Sequence, residues 1–119
     1  MKVNVMGTSC TWFTRNNTSF VIDDDMLLDV PEGSYKNIIQ VADLEKLKCI
    51  FISHLHSDHF LDFHIIATQV MRFPGARTEK LRVYGPKGLL DTLIGLNKLL
   101  YGAPDEISKE PLMKNIEYI

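Results

Sequence analysis

The sequence predicts an α/β layered domain, and three observations carry that prediction. Strand-like and helix-like segments alternate in the order β-ββ-α-β-α-β-α, the pattern of a sheet layered with helices. One run, "LKCIFIS" at 47–53, is short, nearly continuous in apolar residues and β-branched, as expected of a strand covered on both faces. Two later segments, 60–71 and 89–100, repeat apolar residues at helical spacing.

A length of 119 residues suits one domain, read here as residues 1–119. With 45% apolar and 24% charged residues, the composition is that of an ordinary soluble globular protein. A net charge of -2 supplies no overall field for nucleic acid or an anionic membrane. Local basic patches remain open at Lys80, Arg82 and Lys87, and at Arg72 with Arg77. The start, "MKVNVMGTSC", lacks the apolar core of a signal peptide, and no run approaches the length of a membrane span. Cys10 and Cys49 match no disulfide framework and read as two buried thiols in a reducing, cytoplasmic location.

Along the chain, "KVNVM" at 2–6 alternates as a strand does and stops at Gly7. "TSCTWFTRNN" is a loop, in which Trp12 and Phe13 either stack on a base or anchor the loop in the core. "TSFVID" and "MLLDV" are strands around a solvated acidic turn, "DDD", which lacks the spacing and glycine of a calcium loop. In "PEGSYKNIIQVADLEKL", Ser34 is a fair N-cap for a helix whose stripe is Tyr35, Ile38, Ile39 and Ala42. Phe60, Phe63, Ile66, Ala67 and Val70 form the next stripe, stopped by "PGA" at 74–76. "KLRVYG" is a strand. "GPKG" at 85–88 is a turn leading into a helix that ends near Gly102, with Leu89, Leu93, Leu96 and Leu100 packed in the core. The tail holds two prolines, about one turn of helix, and a strand beginning at its end.

All four histidines lie between positions 54 and 64. His54 and His56, two apart at the end of a strand, project to one side, and Asp58 and His59 follow where the chain turns into a helix. Neutral imidazole nitrogen and carboxylate oxygen are the ligands that zinc takes. The spacing H-x-H-x-D-H therefore predicts a metal site of His54, His56, Asp58 and His59. His64 falls outside that spacing and reads as a surface histidine or one that supports a ligand.

H-x-H-x-D-H after a buried strand resembles the signature of the metallo-β-lactamase fold. The stretch "MGTSCTWFTRNNTSFVI" is similar to the glycine-containing loop of the ribonuclease Z branch, with Gly7, Thr8, Arg15 and Ser19 in matching places. "LLDVPEGSYKNI" keeps that branch's Asp29, Glu32 and Gly33, with Val30-Pro31 where the branch has Cys-Gly. "LRVYGPKGLLDTL" resembles its strand-turn-helix segment.

The resemblance implies the amino-terminal half of an αββα sandwich, one mixed sheet with flanking helices. It implies two zinc ions, with manganese or iron as alternatives, His54 and His56 on the first and Asp58 and His59 on the second. Hydrolysis of a phosphodiester, most readily in RNA, would follow from attack by a metal-bridging water. Asp58 would orient or deprotonate that water, and Asp29 would fix a histidine tautomer. The basic arm with which that branch grips transfer RNA is not evident.

The branch also draws a third histidine, a bridging aspartate and a last histidine from its carboxy-terminal half. Here no histidine follows His64, and Asp91 and Asp105 are the only later aspartates. Each ion thus receives two ligands where a tight site wants three and a water. The expectation is an incomplete domain, inactive alone, with one sheet face uncovered. A part of a longer enzyme, a natural truncation, and a homodimer joined through that face all meet it. The alternative function is a non-catalytic metal-binding or interaction module.

Overall fold

The computed structural model describes residues 1–72 and 77–119. Alternating residues build a strand β1 (Val3–Gly7), which pairs antiparallel with β2 (Ser19–Ile22), and β2 pairs antiparallel with β3 (Met26–Leu28). The turn between β2 and β3 is acidic because Asp23 and Asp24 take left-handed backbone, φ 47° and 62°, as a hairpin turn of type I′ requires. Its charges are compensated. The Lys2 backbone N–H donates to Asp23, Lys2 Nζ pairs with Asp24 at 3.0 Å, and Lys48 Nζ with Asp25 at 2.6 Å.

β3 continues in parallel through β4 (Cys49–Phe51), β5 (Leu81–Tyr84) and β6 (Ile116–Tyr118), so among the described residues one mixed sheet of six strands runs in chain order. Parallel neighbours need crossovers, and helices supply them. These are α1 (Tyr35–Ile38), α2 (Ser57–Phe60), α3 (Phe63–Arg72), α4 (Leu89–Tyr101) and α5 (Asp105–Lys114).

Register sorts the two faces of the sheet. Val21, Leu27, Ile50 and Val83 are mutual partners across four strands, and all are fully buried. They form one core with Phe60, Phe63, Ile66, Ala67 and Val70 of α2 and α3, Leu89 and Leu93 of α4, and Leu112 of α5. Each of these side chains larger than alanine contributes about 1.5–3 kcal/mol by leaving water. The alternate row, Val5, Phe20, Leu28, Phe51 and Tyr84, points to the other face, where Val5 is 60% and Phe51 37% exposed. The rings of Phe51 and Tyr84 stack there at 4.7 Å. The expectation that "LKCIFIS" is covered on both faces is therefore wrong for Phe51, and the outer apolar row is exposed at Val5 and Phe51 but half-buried at Phe20, Leu28 and Tyr84.

Several local expectations also change. Ser34 does not cap α1 with its side chain, because its Oγ–H donates to Pro31 O at 2.7 Å. The first turn of α1 takes its partner from elsewhere, the Tyr35 N–H donating to Asp62 Oδ2 at 2.9 Å. The Asp62 backbone N–H donates to Val30 O at 3.1 Å instead of to the preceding turn, and the helical segment predicted from Phe60 onward is divided between α2, ending at Phe60, and α3, starting at Phe63. In α4 the stripe holds at Leu89, Leu93 and Leu96, but Leu100 is 59% exposed and Asn97 takes the buried place. The tail's single turn becomes the ten residues of α5, with Asp105 and Glu106 at its positive end and Lys114 at its negative end.

Cys49 is buried as expected, whereas Cys10 is only half-buried. Of the basic patches, Arg77 is occupied by backbone. Its guanidinium donates to carbonyls of Leu44, Leu47 and Glu79, and its burial lowers its pKa from the usual value. The stop predicted at 74–76 lies outside the described residues.

Candidate metal centre

β4 ends at Phe51, and the residues that follow leave the carboxyl end of a parallel strand, where α/β sheets gather their sites. His54 and His56 lie on that exit, and Asp58 and His59 on the first turn of α2. The His54 ring lies 4.7 Å from that of His56 and 4.1 Å from that of His59, centroid to centroid. His59 Nε2 is 3.8 Å from Asp58 Oδ2. The sequence-predicted set is thus one cluster, half-buried except for the exposed His56.

The cluster is backed by the segment after β3. Leu28 pairs with Phe51, so Asp29 arrives beside Ser53. Asp29 takes φ 55°, a left-handed backbone that costs a residue with a side chain, and its N–H donates to Phe51 O at 2.8 Å. Its carboxylate accepts from the Ser53 N–H at 2.7 Å, from the Ser53 Oγ–H at 2.8 Å and from His59 Nδ1–H at 2.7 Å. Three backbone bonds pin α2 against the same segment: Val30 N–H to His59 O, Glu32 N–H to Ser57 O and Asp62 N–H to Val30 O. Val30, which stands where the resembled branch has cysteine, is fully buried.

The residues present suit a divalent metal in chemistry and orientation. A bond from Asp29 at His59 Nδ1 leaves Nε2 as the free lone pair, on the side of Asp58. Two ligands of one zinc at about 2.1 Å would sit about 3.4 Å apart, close to the observed gap. Yet among the described residues no group of three or more His, Cys, Asp and Glu side chains is placed to hold one ion.

His64 corrects an expectation. It is 5% exposed, and its Nε2 meets Asn97 Oδ1 at 2.8 Å between α3 and α4, away from the cluster. Ser53 was missed; the only sequence signal was a hydroxyl closing the apolar run just before the first histidine. Trp12 and Phe13 do not anchor their loop in the core, being 90% and 69% exposed. The loop is tied instead by Thr11 Oγ1–H donating to Glu32 Oε1 at 2.9 Å. An open trough of about 640 Å³ runs beside the cluster, from Phe20 and Leu28 past Asp29 and Ser53 to Tyr84 and Pro86.

No family model matches the chain. Among curated proteins it is 36% identical over 108 residues to ribonuclease Z of Methanococcus aeolicus, covering 85% of this chain and 33% of the relative. It is 32% identical over 119 residues to ribonuclease Z of Macrococcus caseolyticus, covering 90% and 39%. The human short-form tRNase Z superposes with a TM-score of 0.73 at 22% identity, over 99% of this chain and 43% of that one.

The chain is ribonuclease Z-like, with the metallo-β-lactamase fold.

A second solved structure, the metallo-β-lactamase fold protein YhfI of Bacillus subtilis, superposes at a TM-score of 0.65 over 98% of this chain and 44% of that one. The ribonuclease Z-like chain therefore spans between a third and two fifths of the length of these curated relatives.

Proposed function

We propose that this chain carries part of the active centre of a metal-dependent phosphodiesterase that cleaves RNA, as an incomplete metallo-β-lactamase domain over residues 1–119. The observation that carries the reading is the cluster at the end of β4, with its imidazoles close together and Asp29 behind them. The likeness to ribonuclease Z supports RNA as the substrate.

His54 and His56 would hold one zinc ion and Asp58 and His59 a second. Bound there, zinc, or manganese or iron in its place, would supply the positive charge that activates water and stabilises phosphoryl oxygens. The chain's own residues do the rest of what this half offers. Asp29 holds the proton of His59 on Nδ1. Asp58, at the start of α2, accepts a proton at its carboxylate from attacking water. The remaining ligands would come from outside these residues, since two per ion leaves a tight site short by one each.

Among the described residues no helix is long and apolar enough to cross a membrane, and the two free thiols favour the cytoplasm. The test expresses the protein from its whole reading frame and follows hydrolysis of a generic phosphodiester and of a precursor transfer RNA with zinc or manganese. Turnover lost in His56→Ala is the expected result; no turnover, or turnover indifferent to His56, ends the catalytic reading.

A second reading is favoured by the outer row of the sheet, exposed at Val5 and Phe51 and half-buried at Phe20, Leu28 and Tyr84. It makes the 119-residue chain a non-catalytic module that binds metal and dimerises through that face. Solution mass and zinc per chain decide it: a stable monomer removes the dimer, and zero zinc removes the binding.

A further inference from the structure

We propose that Ser53 is a positioning residue that relays the hold of Asp29 to His54 and so sets the tautomer of that imidazole, while Asp29 fixes His59 directly. This extends the metal reading above, but its central test needs no metal.

The available protons decide each bond. A carboxylate only accepts, and a serine hydroxyl has one proton to donate. Ser53 Oγ lies 2.8 Å from Asp29 Oδ2, so its proton goes there. The same Oγ lies 3.0 Å from His54 Nδ1, and with its own proton engaged it can only accept from that nitrogen. His54 must therefore carry hydrogen on Nδ1. His59 Nδ1 is 2.7 Å from Asp29 Oδ2 but 3.4 Å from Ser53 Oγ, so His59 donates to the carboxylate directly. In their neutral forms both rings then leave Nε2 as a lone pair, the form a metal ligand needs.

Orientation is fixed as well as protonation. The Ser53 N–H donates to Asp29 Oδ1 at 2.7 Å, which stops the carboxylate from turning away. The left-handed backbone at Asp29 is held by its N–H on Phe51 O and by Ser19 Oγ–H on its own carbonyl at 2.8 Å. The histidine assigned to one metal is thus reached through a hydroxyl and the histidine assigned to the other is reached directly. Without these bonds an imidazole in water favours hydrogen on Nε2, which would block the ligand atom.

The experiment is long-range proton–nitrogen NMR of the full metal-free chain, labelled with nitrogen-15, at a pH where imidazoles are neutral. In the wild type, Nδ1 of both His54 and His59 should show the signal of a protonated nitrogen and Nε2 that of a bare one. Ser53→Ala should move His54 to the opposite tautomer and leave His59 unchanged, which also shows that the variant is folded. Asp29→Asn should disturb both rings, and Ser53→Thr should restore His54. His54 bare at Nδ1 in the wild type, or unmoved by Ser53→Ala, would overturn the inference. A separate calorimetric titration with zinc should find Ser53→Ala weaker by about tenfold or more. If the tautomers behave as stated and the wild type takes no zinc, the metal reading falls and the positioning role stands.

Discussion

Gly7 is the residue at which the loop carrying Trp12 and Phe13 is allowed to close. A Cβ there would run into the backbone carbonyl oxygens of Asn16 and Asn17, which cannot move aside as a flexible side chain could. Gly7→Ala should therefore destabilise the fold by about 1–3 kcal/mol through overpacking, read as a lower urea midpoint with an unchanged slope. At this scale the sequence is legible where chemistry is adjacent along the chain. His54, His56, Asp58 and His59 share a stretch of six positions, so their type and spacing are visible without a fold. The residues that hold them are not visible in that way. Asp29 meets Ser53 only because Leu28 pairs with Phe51, a register that no local pattern contains. Asp29 was reached by resemblance and Ser53 not at all.

His64 and Asn97 show the same limit at the scale of elements. Each is a polar residue within a helical segment, and their hydrogen bond at 2.8 Å exists only where α3 lies against α4. Periodicity places apolar stripes but cannot say which polar residue crosses between two of them. It likewise gave one helix from Phe60 onward, because it cannot see that the Asp62 backbone N–H is taken by Val30 O. The buried pair makes an asymmetric prediction. Asn97→Leu leaves an imidazole without its partner and should cost about 1–3 kcal/mol. The double variant His64→Leu with Asn97→Leu removes both polar groups and should recover most of that loss. Urea midpoints of the two single variants, His64→Leu and Asn97→Leu, and of the double variant check this. A double variant as unstable as the sum of the singles would mean that the pair's packing, not its hydrogen bond, holds α3 to α4.

The whole molecule is a sheet with one finished face. Ile50 and Phe51 are chain neighbours on opposite faces, so Ile50→Ala should cost about 2–5 kcal/mol as a core truncation, while Phe51→Ser should cost much less; equal losses would mean that the outer face is covered. Burial also shapes the response to alkali. Loss of solvation raises the pKa of the Cys49 thiol above its ordinary 9.0 and that of the Tyr118 hydroxyl above its ordinary 10.0. Lys48 is raised above 10.5 by its hydrogen bond to Asp25, but it is fully solvated and weakly coupled to folding. In each case the folded chain keeps a proton that the unfolded chain has already released, so stability falls as pH rises. The loss should begin near pH 9.0 with Cys49 and steepen beyond 10.0 as Tyr118, whose hydroxyl is buried without a partner, enters. Tyr118→Phe should flatten the part above 10.0 and leave the earlier part in place. Urea midpoints taken across that interval decide the matter, and a wild-type midpoint that does not move, or one that falls equally in Tyr118→Phe, would show that these buried groups are not what alkali acts on.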